Sequence, residues 1–564
     1  MMKILLAACN AKYIHSNLAV YDLKACAGEY KEQIVLKEYT INQPKDDILR
    51  DIYLETPDVV CVSCYIWNIT FVKELVQDLA KVLPDTEFWA GGPEVSFDGE
   101  AFLEENPHFK GVMMGEGEET FRELAGHYIK NITKLTEIKG IIFRDGEKIR
   151  NNGWREIMDL SRVPFVYRDL EDFKNRIIYY ESSRGCPFSC SYCLSSVDKK
   201  LRFRDLELVK RELQFFIDNR VPQVKFVDRT FNCRHDHAME IWKYIKEQDN
   251  GITNFHFEIS ADLLREEELE LMSDMRPGLI QLEIGVQSTN PETIRAIHRT
   301  MDFRKLAGIV KRIHSFGNIH QHLDLIAGLP YEDYDSFRKS FNDVYALKPQ
   351  QLQLGFLKVL KGSLMKEMAE EYGIVHKERE PYEVLSTRWL SYREVLKLKT
   401  VENMVEIYYN SGQFQNTLEY AEGFFEDSFS LYERLGKFYE ENGCSGISHT
   451  RMRRYEIFLE FLETVEGISR HAAADRMVCD LYLRENLKSR PSFAGDQKPF
   501  EKAVWEYRRR EKIPKTAHIE VFADDRVLLF DYTKRDPLTN NAAVTDISEE
   551  LGGFLAEEEN GRNA

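Results

Sequence analysis

Short apolar runs alternate with longer stretches in which apolar residues return every three or four positions, and the rhythm starts at the beginning of the chain. The runs Lys3–Cys9, Gln33–Tyr39, Val59–Ile66, Glu87–Ala90 and Gly111–Met114 read as strands, and intervening stretches such as Phe71–Leu83 as helices. Strands separated by helices predict a doubly wound parallel sheet over residues 1–135, with ligands bound at the carboxyl ends of its strands. Those ends carry small and polar residues: Asn10, Ser63, Gly91-Gly92-Pro93 and Gly115-Glu116-Gly117-Glu118. Glycine there lets the backbone approach a bulky ligand.

A connector follows at 136–176, where Gly140–Ile149 predicts a hairpin turning at Asp145-Gly146. The strand–helix rhythm then returns with Ile177–Ser183, Gln223–Val227, Phe255–Ser260, Leu279–Val286, His320–Ile326 and Gln351–Val359. Six such units over 177–365 predict a partial (β/α)6 barrel with its chemistry at the carboxyl ends of the strands. Polar residues stand at or near those ends, among them Asp228, Glu258, Asp262, Glu283, Gln287 and Asp324. Residues 366–552 read as mainly helical, with helical patterns over Tyr382–Glu422, Phe424–Lys437, Arg454–Val465, Ala472–Leu487 and Phe500–Lys512. A β-ribbon is expected from Ile519–Ala523 and Val527–Tyr532, and a disordered tail over 553–564. The expected fold class is thus α/β with a helical carboxy-terminal domain.

Bulk properties narrow the setting. The 564 residues, 43% hydrophobic and 30% charged, suit several ordinary soluble domains. No apolar run reaches the length of a membrane span, and Met1–Asn10 is too short for a secretory signal. Ten cysteines without such a signal lead us to expect a reducing cytoplasm, where thiols serve metals. A net charge of −18 argues against a large nucleic-acid-binding surface.

The densest chemistry is Glu181-Ser-Ser-Arg-Gly-Cys186-Pro-Phe-Ser-Cys190-Ser-Tyr192-Cys193-Leu194, directly after the apolar run Ile177–Tyr180. Three thiolates at C-x3-C-x2-C spacing can wrap one face of an iron–sulfur cluster; a cubane takes four, so one iron is left open. An open position separates a reactive metal site from a structural one. A zinc knuckle would want a fourth ligand close by, and the next cysteine is Cys233. Cys61 and Cys64 sit three apart in a strand, facing opposite ways, and read as packed thiols. Cys233, His235 and His237 have metal-like spacing but open a helix, where polar residues are ordinary. Cys233 itself follows a barrel strand end and is the candidate catalytic thiol.

Arg184-Gly-Cys186-Pro-x-x-Cys190-x-Tyr192-Cys193 resembles the signature of radical S-adenosylmethionine (radical SAM) enzymes. The resemblance implies a 4Fe–4S cluster on the three cysteines, with SAM chelating the open iron and cleaved to a 5′-deoxyadenosyl radical. It implies Tyr192 near adenine, Asp228 toward the amino group of SAM, and Glu283 and Gln287 toward the ribose. Ile326-Ala-Gly328-Leu-Pro330 matches half of the family's adenine-facing pattern, with Asp324 where a glycine is expected, so Ile326 and Gly328 are the adenine candidates. An electron donor such as flavodoxin or ferredoxin is implied as a partner.

The ordered series Ser63, Gly91-Gly-Pro93 and Gly115-Glu-Gly-Glu118 resembles the cobalamin-binding domain that precedes the radical core in one branch of the family. It implies cobalamin held by Asn10, Ser63, Gly91, Gly92, Gly115 and Glu116. The chain lacks Asp-x-His-x-x-Gly, so no histidine of that motif is implied beneath cobalt, and His15 reads as a loop histidine. The activity the two resemblances imply is cobalamin-dependent radical SAM chemistry: methyl transfer to, or rearrangement at, an unactivated carbon of a small molecule or peptide. Two alternatives stand beside it. A transfer-RNA methylthiotransferase would hold a second cluster on three cysteines of its first domain, where this chain offers Cys9 but Gly91-Gly-Pro93 in place of another cysteine. A non-catalytic iron–sulfur or cobalamin sensor would not cleave SAM.

Overall fold

A computed structural model of the chain describes residues 2–551. Strands β1 (Ile4–Asn10), β2 (Ile34–Thr40), β3 (Val59–Ser63), β4 (Glu87–Gly91) and β5 (Phe109–Met113) form a parallel sheet in the order β2-β1-β3-β4-β5. The hairpin β6 (Ile141–Asp145) and β7 (Lys148–Asn151), expected in the connector, pairs antiparallel with β5 and extends this sheet. Leu5, Ala7 and Cys9 join one apolar cluster and Ile4, Leu6 and Ala8 another, so helices cover both faces. Cys61 lies in one cluster and Cys64 in the other, as their spacing in a strand requires. Strand order reverses between β1 and β3, which opens a crevice beyond Asn10 and Ser63.

The second sheet follows a different rule. β8 (Ile178–Tyr180) leads into a small antiparallel pair, β9 (Ser183–Arg184) with β10 (Arg202–Phe203). Then β8, β11 (Gln223–Phe226), β12 (Asn254–Ile259), β13 (Ile280–Gln287), β14 (His320–Ala327) and β15 (Gln351–Phe356) lie side by side in chain order, all parallel. Consecutive order means that the sheet winds one way into an open barrel. Outward residues of β13 such as Leu282 and Ile284 are buried with Val209, Leu213 and Ile309 of the surrounding helices.

An open barrel leaves two strand edges, and both are covered. At β8, Ile177 N–H donates to the Ile14 carbonyl at 2.8 Å, bringing the loop after β1 onto the barrel. At β15, the Asn410 side chain accepts from Leu352 N–H and donates to its carbonyl, each at 2.9 Å. Asn410 ends a π-helical turn, Val405–Asn410, that continues the helix Tyr392–Met404.

The carboxy-terminal part departs from expectation at two places. The helix expected from Tyr382 starts at Tyr392, capped by Ser391, and the preceding residues form the extended pair β16 (Val375–His376) and β17 (Val384–Ser386). The β-ribbon β18 (His518–Val521) and β19 (Val527–Arg535) gains a third strand, β20 (Ala542–Asp546), which is exposed beyond Ala542 and shows no apolar alternation in sequence. Tyr408 and Phe414 pack in the core with Phe458. The expected tail, 553–564, lies outside the described residues. Among the described residues no helix is long and apolar enough to cross a membrane.

Candidate active site

The three cysteines share the loop between β9 and β10. Gly185 starts it at φ +91°, and a Cβ there would lie 2.8 Å from the Lys200 carbonyl, so the entry turn needs glycine. Cys186 N–H donates to Asp198 O at 3.2 Å and Cys193 N–H to Cys190 O at 3.1 Å. The loop tip is pinned from two sides, with Ser191 N–H on Ile297 O and Met365 N–H on Ser191 O. Cys186 and Cys190 are buried, Cys193 is half-buried, and all are free thiols. Burial pushes the Cys190 thiol up, while the Arg299 guanidinium, 3.7 Å from its sulfur, pulls it down. Three free thiols on one short loop supply the kind of donor set an iron–sulfur cluster uses.

Arg299 ties this loop to the barrel. Its guanidinium reaches Cys190, the Tyr192 hydroxyl at 3.5 Å and the Gly285 carbonyl. Gln287 lies two residues on from Gly285, at φ +72°, with its side chain folded back over Gly285. Its Oε1 is buried without a hydrogen-bond partner, as is Arg299 Nε. Tyr192 and Ile326 pack against the same apolar cluster. Cys190, Tyr192, Arg299, Gln287 and Ile326 therefore come together from three separate parts of the chain, and the unpaired Gln287 oxygen suits a polar ligand at this place.

Other expected residues fall elsewhere. Asp228 is fully buried, with one oxygen accepting from Ser182 N–H at 2.9 Å and the other from the Ser182 and Ser183 hydroxyls. Its carboxylate thus braces β11 against β8. Gly328 faces Val384 of β17, whose Cγ1 would lie 2.7 Å from an added Cβ. Glu283 lies inside the barrel, 3.0 Å from Lys225 Nζ and 3.0 Å from His256 Nε2. Burial works against its charge, but His256, Lys225 and His322 prevail and hold the carboxyl down at about 2. The Glu258 carboxyl makes no hydrogen bond among the described residues, and burial pushes it up to about 7 against the pull of Arg229.

Cys233 is half-buried, and its thiol is pushed up to about 11, first by burial and then by nearby Cys186 and Asp228. That keeps it a thiol rather than a thiolate at neutral pH. His235 turns to Glu268 and His237 to the Ser182 hydroxyl, so these residues do not gather around a metal.

The crevice of the first sheet faces the thiol loop across a cluster of ions. Arg184 pairs with Glu118 at 2.8 Å, Glu116 at 3.4 Å and Glu181 at 2.7 Å, and Arg202 pairs with Glu116. Arg184 and Arg202 flank the cysteine loop, whereas Glu116 and Glu118 follow β5, so the cluster aligns the two sets of strand ends. Asn10 donates to His15 O and Glu38, and Ser63 accepts from Asn17. Gly92 sits at φ +116°, where a Cβ would lie 2.5 Å from Cys64 O. Gly115, at φ +66°, lies beneath the Trp154 ring. Trp67 and Trp154 are exposed beside these strand ends, and Trp67 stacks on Tyr65 with centroids 4.4 Å apart. Gly115 under the exposed Trp154, with Trp67 exposed nearby, leaves an apolar surface at the strand ends that suits a large flat ligand. His15 is held by the Tyr179 hydroxyl at 2.7 Å, and Cys9 and Cys64 lie buried in one apolar cluster. A polar groove of about 720 Å³ between Lys73, Asp98, Lys361 and Arg379 touches none of these residues.

Sequence reasoning did not single out Arg202, Arg299 or Lys225. Arg299 has no local motif, since it meets the cysteines only through the fold.

Fold and site together define a radical SAM protein with a cobalamin-type domain ahead of its core. Three family models match in that order: the B12 binding domain over residues 4–125, the Radical SAM superfamily over 180–344, and a protein of unknown function, DUF4080, over 370–542. The chain belongs with the B12-binding radical SAM proteins that carry a DUF4080 domain. It is 27% identical over 300 residues to an uncharacterized methyltransferase, PH0819, of Pyrococcus horikoshii, covering 51% of this chain and 63% of that one. It is 25% identical over 347 residues to the cobalamin-dependent radical SAM methyltransferase TokK of Streptomyces tokunonensis, covering 56% and 50%. The chain thus spans about half the length of the curated relatives it matches. Among solved structures, the cobalamin-dependent S-adenosylmethionine radical enzyme OxsB has the same fold, with a TM-score of 0.59 at 14% identity over 91% of this chain and 82% of that one. The radical S-adenosylmethionine methyltransferase TsrM from Kitasatospora setae gives 0.55 at 17% identity, covering 66% and 77%.

Proposed function

We propose that this chain is a cobalamin-dependent radical SAM enzyme that transfers a methyl group to an unactivated carbon of a small molecule. The observation that carries the reading is the ion cluster of Arg184 and Arg202 with Glu116 and Glu118, which turns the glycine-lined crevice toward the three thiols. Bound there, a 4Fe–4S cluster with SAM supplies a carbon-centred radical, and cobalamin supplies a transferable methyl group.

The chain's own residues have definite tasks in this reading. Cys186, Cys190 and Cys193 hold the cluster. Arg299 steadies the Cys190 sulfur from the barrel side. Tyr192, Ile326 and Gln287 orient SAM, with Gln287 Oε1 accepting a hydrogen bond. Asn10, Ser63, Gly91, Gly92, Gly115 and Glu116 line the place of cobalamin. Cys233 holds a proton at Sγ at neutral pH, and the Glu258 carboxyl, raised to about 7, can take up or release one there. The ten free thiols suit a reducing cytoplasm with flavodoxin or ferredoxin as electron donor.

The test is metal and cofactor content after anaerobic reconstitution and gel filtration, followed by turnover with SAM and a reductant. About four irons and one cobalamin per chain are expected, with 5′-deoxyadenosine formed. Replacing all three loop cysteines with alanine should remove the iron and leave cobalamin bound. Seven or eight irons without cobalamin would overturn the reading. Full loading without SAM cleavage would point to a sensor.

A further inference from the structure

The inner wall of the barrel is polar. Parallel register sets Lys225 beside His256, His256 beside Gln281, Glu258 beside Glu283, Glu283 beside His322, and Gly285 beside Asp324. Alternate residues of a strand share a face, so these side chains meet in the lumen. Branched apolar residues ordinarily fill such an interior. Here ligand atoms of Glu283, His322 and Asp324 lie within 4.8 Å of one another.

Two histidines add a separate observation. His256 Nε2 is 3.0 Å from Glu283 Oε2, and His322 Nε2 is 3.0 Å from Asp324 Oδ1. His256 is 7% exposed and His322 6% exposed, yet neither Nε2 nor Asp324 Oδ1 makes an aligned hydrogen bond. The atoms are close, but their directions are wrong for bonding to each other. A separation near 3 Å is also that of neighbouring ligands around one ion whose bonds are about 2.0–2.2 Å.

The geometry points to a mononuclear divalent-metal site in the barrel lumen, formed by Glu283, His322 and Asp324 with His256 beside Glu283, and separate from the cysteine loop. One imidazole with two carboxylates suits a first-row ion such as manganese, iron or zinc. Charge agrees, because Glu283 and Asp324 outnumber the single ammonium of Lys225 beside them, while Arg229 faces Glu258. Lys225 competes for the Glu283 oxygen that the ion would use, and its long side chain can swing aside. Gln353 is exposed and lies beside Asp324 on the edge strand, which gives the ion a way in.

Manganese is the probe, because it binds poorly to thiols and so reports on the lumen rather than on the cysteines. The full-length protein with its cluster reconstituted is titrated with Mn2+ under anaerobic conditions, with free ion followed by electron paramagnetic resonance and iron counted in parallel. About one tightly bound Mn2+ per chain is expected. His322→Ala and Asp324→Asn should each weaken it by at least about tenfold without changing the iron count. Lys225→Met should tighten it, since a competing cation is gone. Glu283→Gln gives a second route should either first variant lose its iron. Wild-type binding no tighter than that of the His322→Ala, Asp324→Asn double variant would overturn the proposal, as would weaker binding in Lys225→Met.

Discussion

β1 and β13 are both central strands of parallel sheets, yet β1 is buried at every position while β13 alternates between buried and half-buried residues. In the first domain two helical layers close over both faces of the sheet, so polar groups can stand only beyond the strand ends. In the second the sheet curls, and one face becomes a wall. Chemistry then has two places, the rim and the lining. The same strand type therefore carries different information according to whether its sheet is sandwiched or closed.

This comparison is open to direct attack. Leu5→Ala and Leu6→Ala should each destabilise the first domain by about 2–5 kcal/mol, because neighbouring positions pack into opposite apolar clusters. On β13, Leu282→Ala should cost a similar amount, while Gln281→Ala should stay within about 0.5 kcal/mol. Denaturant midpoints at unchanged slope would report this. An equal loss for Gln281 and Leu282 would mean that the lumen is packed like the first sheet.

A second contrast concerns buried charge at the rim. Glu332 follows β14 and accepts from the Ser288 and Ser340 hydroxyls at 2.6 and 2.9 Å, with no cation paired to it among the described residues. Burial, opposed by those hydroxyls, raises its carboxyl from 4.5 to about 7. A raised folded-state value means the acid form is favoured in the folded protein. The stability it contributes is complete below pH 4.5 and is lost as pH rises through about 7. The whole window amounts to about 3 kcal/mol. Glu332→Gln should flatten stability between these limits, and an unchanged slope in chemical denaturation across that range would refute the assignment.

These differences also explain what could be read in advance. The three cysteines, Tyr192 and the glycines after β4 and β5 lie in continuous segments, where spacing alone conveys their arrangement. The parallel strands were legible because each is a compact apolar run. The lumen was harder, although His320-Gln-His322-Leu-Asp324 shows polar residues at every second position and so one polar strand face. Its meaning depends on register with Glu283 and His256, from other strands. Arg299 and the ion cluster around Glu116 were illegible for the same reason. β20 was missed because an exposed edge strand needs no apolar pattern.

The smallest effect tests the edge itself. β1 has strands on both sides and needs no cover, whereas β15 ends its sheet and leaves Leu352 to be satisfied from outside. Asn410 does this with one side-chain amide that both accepts and donates, as a neighbouring strand would. Asn410→Ala removes both bonds, but Asn410 itself is half-exposed and water can take its place at the Leu352 peptide groups, so the loss should be about 1–2 kcal/mol rather than the larger cost of an orphaned core group. It should appear first as faster hydrogen exchange at the Leu352 amide, with the amides of β1 unchanged. If Leu352 stays protected in the variant, the π-helical turn covers the edge by packing alone, and the amide is incidental to closing the barrel.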